Sequence, residues 1–199
     1  YLFMDGNHEG VYGMRLSADY TVCEKIVSRQ YQGLKPPFTR EGIALFEYAN
    51  KKYLLTSGMT GYIPNQSDVA VSDSWEKPFV SLGNPHINDE TKASFNSQIS
   101  QVFRLSSGQY LSLADRWLPG YLLDGKKADA IRKAVAASTD PENYSATDED
   151  YEAFRKMPAI EKTDTAISDY VWLPVTFAGD KPQISWHSTW KPQIKKEKV

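Results

Sequence analysis

Residues 41–57, EGIALFEYANKKYLLTS, decide the fold. Glu41–Tyr48 is a short apolar run, Ala49-Asn50-Lys51 is a turn, and Tyr53–Ser57 returns as a second run, the signature of an antiparallel pair. Ser67–Ser72 (SDVAVS) alternates polar and apolar residues as a third strand, and the Trp75–Phe79 region closes the unit. The same order recurs downstream. Ser97–Leu105 (SQISQVFRL), the turn Ser106-Ser107-Gly108 and Gln109–Ala114 (QYLSLA) are followed, after a break, by Tyr170–Phe177 (YVWLPVTF). Gly179-Asp180 then turns the chain into a last strand around Gln183–Trp186. Upstream, Tyr1–Met4 and Val11–Leu16 flank Asp5-Gly6 as a hairpin, and Gln32–Pro37 is a loop by its Gly and Pro content. Strand, tight turn, strand, longer link, strand reads as an all-β chain of repeated four-stranded antiparallel units. A β-sandwich also yields short strands with regular turns, but the repetition favours a β-propeller.

The break is of another kind. Residues 123–165 carry helical signals: Asp124 suits an N-cap, and Ala128, Ile131 and Val135 fall three and four apart on one face. Pro141 ends that run. Thr147-Asp148-Glu149-Asp150 opens a second helix with acids in its first turn, Tyr151 and Phe154 lie at i, i+3, and Pro158 follows. This helical insertion reads as a surface excursion between two strands or as a flap over a binding cleft. Setting it aside leaves chain for about three to four blades at roughly 40–45 residues each. A ring short of blades exposes sheet edges, so further N-terminal blades or another chain are expected to complete it.

The whole chain, 1–199, reads as one such unit, and its composition narrows what it does. Lys+Arg 23 against Asp+Glu 25 gives a formal charge of −2, without the basic footprint that nucleic acid or an anionic membrane requires. No apolar run approaches the ~18 residues of a membrane span. Cys23 stands alone, and His8, His86 and His187 lie far apart, which excludes the usual zinc constellations. No cofactor is expected, and a structural calcium stays open because no acid-rich loop marks a site for it. No signal peptide is visible in the sequence, whose start at Tyr1 is expected to reflect processing or missing upstream sequence. Aromatic residues make up 13% of the chain, many beside polar ones. That suits strands with one wet face, and equally suits sugars, whose apolar faces stack on rings.

Four places could carry chemistry. Arg40-Glu41-Gly42 sets a carboxyl at the head of a strand, beside a cation and a glycine that permits close approach; it fits a general acid, or a surface ion pair. Ser57–Asn65, a polar Gly-rich loop holding Thr60 and Tyr62, could bind sugar hydroxyls or be an ordinary hairpin loop. Asp115-Arg116-Trp117 ends a strand with an acid, a fork of donors and a stacking ring. Gln98, within a strand of β-branched and aromatic residues, needs hydrogen-bond partners wherever it is buried. Trp172, Trp186 and Trp190 read as packing.

In order along the chain, REGIALFEYANKKYLLTSGMTGYIPNQ, FNSQ, LADRW, DYVWLPVTF and ISWHSTW resemble glycoside hydrolase family 43. The likeness is greatest to its exo-β-1,3-galactanase branch, where Arg-Glu-Ala-Pro, Thr-Gly-Trp-x-Pro-Asn, Ser-Gln, Asp-Arg-Trp and Tyr-Val-Trp-Leu-Pro occur in this order. The resemblance implies a five-bladed propeller with a sugar pocket at the mouth of its channel, and an extracellular or periplasmic, inverting glycoside hydrolase acting on arabinogalactan-type polysaccharide. It implies Glu41 as general acid and Gln98 as an unusual base or a positioner of water, with Arg40, Thr60, Tyr62, Asn65, Arg116 and Trp117 lining the pocket. The family's base aspartate and its second, acid-tuning aspartate fall upstream of the region seen here, so the 199 residues alone are expected to show little activity. Two departures stand out: Gly42-Ile43 replaces Ala-Pro, and Tyr62 replaces Trp. The insertion also exceeds a minimal galactanase, which leaves an α-L-arabinofuranosidase, a β-xylosidase or a non-catalytic carbohydrate-binding propeller as alternatives.

Overall fold

The computed structural model describes residues 1–158 and 162–194. The tail of the expected unit at 195–199 and positions 159–161 of the expected insertion lie outside the described residues. The chain is mostly strand, in three separate sheets. The first is a three-stranded antiparallel meander of β1 (Leu2–Asp5), β2 (Val11–Leu16) and β3 (Cys23–Gln30). The second runs β4 (Arg40–Tyr48), β5 (Lys51–Gly58), β6 (Ser67–Ser72) and β7 (Val80–Gly83) in chain order. The third holds β9 (Gln98–Arg104), β10 (Tyr110–Arg116), β11 (Asp169–Ala178) and β12 (Lys181–Ser185), with the short β8 (His86–Ile87) added in parallel at the β12 edge.

The expected four-stranded repeat therefore holds in the second sheet and is modified in its neighbours. The strand expected around Trp75–Phe79 forms instead at Val80–Gly83, because Trp75 and Phe79 are drawn inward to pack on Phe3. No sheet closes on itself among the described residues.

The second sheet is buried on both faces, which explains its uninterrupted apolar run. On β5, Tyr53 and Leu55 face the third sheet in a core with Phe46, Val69, Ile99, Leu173 and Ile184. Leu54, between them, points the other way into a core with Phe3, Val11, Ala70 and Phe79. Successive strand residues alternate faces, so a strand sandwiched between two sheets carries apolar residues on both faces. β4 lies against β9 on one side and β1 on the other, so first strands of the second and third sheets run side by side.

Both expected helices form between β10 and β11. α1 (Gly125–Thr139) starts where Asp124 accepts the Lys127 N–H, and α2 (Asp148–Arg155) starts at a capping box of Thr147 and Asp150. α1 packs against the body of the protein beside the wall formed by Tyr62 and Trp117. It buries Ala128 and Ile131 in a separate core with Ile63, Leu118 and Leu123, packed against Tyr62 and Trp117. Its far end is fixed to the loop before β4, where Thr139 donates to the Pro36 carbonyl and Lys35 pairs with Asp140 at 3.0 Å.

Candidate active site

The site grows from an irregularity at the head of β4. The ladder pairs Glu41 with Ser57 and then Ala44 with Leu55, leaving Gly42 and Ile43 together opposite Thr56. This is a β-bulge, which bends a strand and re-aims the side chain beside it. Gly42 makes it possible. Its φ is +58°, in the left-handed region, and a Cβ there would lie 3.0 Å from the Ile99 carbonyl oxygen and 3.1 Å from Gln98 Cγ. With no side chain at Gly42, β4 and β9 approach closely here, and Glu41 and Gln98 meet.

Gln98 Nε2 donates to Glu41 Oε1 at 3.0 Å, and Trp117 Nε1–H donates to Gln98 Oε1 at 3.0 Å. The indole has only a donor, so it fixes which end of the amide faces Glu41. Burial pushes the Glu41 carboxyl above the usual carboxylate range; the Gln98 amide and the nearby His8 pull it back, and Asp5 pushes it further up. Glu41 opens on a cavity of about 390 Å³, within the range of small-ligand clefts. Met59, Gly61, Tyr62 and Trp117 form its walls, with Glu41, Gln98 and His8 as its polar groups. The Tyr62 and Trp117 rings stand 5.7 Å apart at 56°, and α1 backs both from behind.

Four of the sequence-predicted residues therefore converge: Glu41, Gln98, Tyr62 and Trp117. The expectation that Arg40, Thr60, Asn65 and Arg116 also line the pocket is corrected, because each points into the protein. Arg40 neighbours Glu41 on β4 and takes the opposite face. It donates to the Gln66 carbonyl at 3.0 Å and stacks over Tyr31 near buried Asp68. Thr60 donates to the Ile63 carbonyl at 2.7 Å, and Asn65 clamps the loop to Pro37 at 3.1 Å; both shape the wall that carries Tyr62. Arg116 donates to the carbonyls of Asn96 and Phe95, under Trp186.

Sequence reasoning missed His8. It considered that residue only as a zinc ligand, and the Asp-Gly turn that presents it gives no local sign of lying beside β4. A larger cleft of about 600 Å³ between the two helices is lined by Lys127, Glu149, Glu152 and Lys156. Glu152 there already pairs with Arg155 and Lys156, and among the described residues no aromatic one lines the cleft. Among the described residues no cluster of three metal-ligating side chains occurs, and no helix is long and apolar enough to cross a membrane.

These sheets and this cavity define a mostly-β fold of the kind seen in glycoside hydrolase family 43. Among solved structures, a family 43 β-1,3-galactosidase with galactodeoxynojirimycin superposes with a TM-score of 0.63 at 22% identity, covering 92% of this chain and 40% of that one. An exo-β-1,3-galactanase from Clostridium thermocellum gives 0.57 at 23%, covering 89% and 29%. One from Phanerochaete chrysosporium, solved with galactose, gives 0.61 at 18%, covering 92% and 31%. The chain thus spans less than half the length of each. No protein-family model and no curated protein matches the sequence.

Proposed function

We propose that this chain forms part of an inverting glycoside hydrolase that removes galactose from the ends of β-1,3-galactan, in arabinogalactan-type polysaccharide outside the cytoplasm. The observation that carries this reading is a half-buried carboxyl, held above its ordinary range, aimed into an aromatic-walled cavity. A carboxylic acid that holds its proton more tightly than usual is suited to donate it to a departing glycosidic oxygen. The shared fold of the galactosidase and galactanases supports the sugar class.

In this mechanism Glu41 protonates the bridging oxygen as the bond to the anomeric carbon breaks, while Tyr62 and Trp117 stack on the sugar and exclude water. Inversion needs a base that activates water from the opposite face, with roughly 6.5–9.5 Å between the two catalytic groups. Gln98 touches Glu41 directly at 3.0 Å, so we assign it to positioning the acid and ordering water near it, and set aside its role as base. Among the described residues lining the cavity, Glu41 carries the one carboxyl. The base is therefore assigned to a neighbouring blade of the same ring, or to another chain that completes it. That single carboxyl also favours a second reading, a non-catalytic sugar-binding unit.

Aryl β-galactoside, α-L-arabinofuranoside and β-xyloside are to be assayed side by side, with proton NMR following the first anomer released from β-1,3-galactobiose. Galactoside preference with α-galactose as first product is expected. Preference for another sugar overturns the substrate, first release of β-galactose overturns inversion, and binding without hydrolysis by the complete protein favours the second reading.

A further inference from the structure

Gln98 sits at an end of β9 that its sheet holds by two residue pairs. The ladder with β10 pairs Leu113 with Gln101 and then Ala114 with Ile99, so Ser100 bulges out and only Ile99 and Gln98 pair beyond it. The chain just before Gln98 is less ordinary still. Ser94, Phe95 and Asn96 have φ of +54°, +55° and +61° in succession. The Asn96 and Ser97 N–H groups both donate to the Ala93 carbonyl, at 2.9 and 3.3 Å. This is a turn of left-handed backbone built without a glycine. Crowding of Cβ against the following carbonyl disfavours each such residue, so three in a row persist only where their surroundings hold them.

Two sets of contacts do so. At the start of the turn the Ser94 hydroxyl accepts the Ser67 N–H at 2.9 Å and donates to the Asn65 carbonyl at 2.8 Å, which anchors it at the head of β6. At its end Arg116 donates from Nε to the Asn96 carbonyl at 3.2 Å and from Nη2 to the Phe95 carbonyl at 2.9 Å. The rigid fork of the guanidinium holds two successive carbonyls at once, which the single ammonium of a lysine cannot do. Trp186 covers this contact, its ring centre 5.4 Å from the guanidinium carbon and 5.8 Å from the Phe95 ring.

We infer that Arg116 is a positioning residue: by clasping the left-handed turn it sets where β9 begins, and so aims the Gln98 amide at Glu41. The three residues at the end of β10 and just beyond it then divide one task. Asp115 pairs with Gln98 along the ladder, Arg116 holds the turn before it, and Trp117 Nε1–H fixes its side-chain oxygen. Arg116 acts through Gln98, from outside the cavity. Its catalytic consequence rests on reading Glu41 as the acid, but the brace itself does not.

The test compares Arg116→Lys with wild type by following the Trp117 indole N–H in ¹⁵N-labelled protein, its resonance being identified by loss in Trp117→Phe. That proton reports on Gln98 directly. Arg132→Lys is the control, because Arg132 also donates to two carbonyls of the same loop, those of Thr91 and Lys92, but ahead of the three-residue turn. Arg116→Lys is expected to shift the indole resonance and to speed its hydrogen exchange roughly 2- to 10-fold, the loss of one ordinary hydrogen bond. Arg132→Lys should leave both as they are. In the complete protein, Arg116→Lys should also lower the turnover number on β-1,3-galactobiose while the Michaelis constant stays near its wild-type value. An indole unmoved in Arg116→Lys, or moved equally in Arg132→Lys, overturns the inference. Should Arg116→Lys unfold, Trp186→Leu decides, since that ring is 48% exposed and its removal opens the guanidinium to water. A smaller shift of the same sign then supports the brace, and an unmoved signal overturns it. The indole readout needs no turnover, so normal hydrolysis by Glu41→Gln sinks the acid role while leaving the brace standing.

Discussion

Replacing Gly42 by alanine tests the bulge that joins Glu41 to Gln98. Two costs can be separated. A non-glycine residue held at φ +58° loses about 1–2 kcal/mol to left-handed crowding. The new methyl also meets the Ile99 carbonyl oxygen at 3.0 Å and Gln98 Cγ at 3.1 Å, tighter than ordinary contact, and forced repacking of this kind costs about 1–3 kcal/mol. Loss of glycine's freedom in the unfolded chain returns about 0.4–1 kcal/mol. The net is about 1–5 kcal/mol, which lowers the melting temperature of a domain this size by roughly 2–20 °C. Gly179 is the control: its φ is +61°, and a Cβ there has nothing within 4 Å. Gly179→Ala carries the backbone cost alone. Thermal and urea unfolding of the two variants should show Gly42→Ala the less stable by about 1–3 kcal/mol. Equal losses would refute the claim that close approach of β4 to β9 fixes this glycine.

Further outcomes follow from the same contacts. Trp117→Phe keeps the ring and removes the N–H that holds Gln98; it should cost about 0.5–1.5 kcal/mol of stability and lower the turnover number more than it changes the Michaelis constant, since the acid rather than the sugar loses its support. Glu41, whose carboxyl holds its proton more tightly folded than unfolded, contributes stability that is complete below the unfolded value near 4.5 and fades as pH rises through the folded value. Glu41→Gln should therefore be the more stable protein at pH 8, with the difference vanishing at strongly acid pH in a chemical-denaturation series. His86 is pushed down to about 4 by burial. It is held neutral inside, so its contribution is intact above about 6.5, the ordinary histidine value, and is lost as pH falls towards 4; His86→Gln should flatten that part of the stability curve.

How legible the sequence was depended on burial and on direction. β4 and β5 were readable because a sheet covered on both faces writes a dense apolar run between turns, β6 was readable from the pattern of Ser67–Ser72, and both helices were readable from Asp124 and Thr147, whose side chains cap locally. β3 was missed: most of Cys23–Gln30 is exposed, and a strand at a sheet edge has no alternation to display. Motif order brought Glu41, Gln98, Tyr62 and Trp117 into view, and these meet in space. It did not reveal which way a side chain points. Arg40 and Glu41 are adjacent in sequence and opposite in space, and Thr60 and Asn65 spend their polar atoms holding a loop together. His8 reaches the cavity through the packing of one sheet beside another, which no spacing encodes.

The most direct measurement is hydrolysis of β-1,3-galactobiose by Glu41→Gln in the complete protein, with galactose binding followed by calorimetry. A proton donor of this kind contributes on the order of 10²–10⁴ in rate, so turnover should fall by that factor while galactose still binds. Hydrolysis at the wild-type rate would contradict the assignment of Glu41 as the acid.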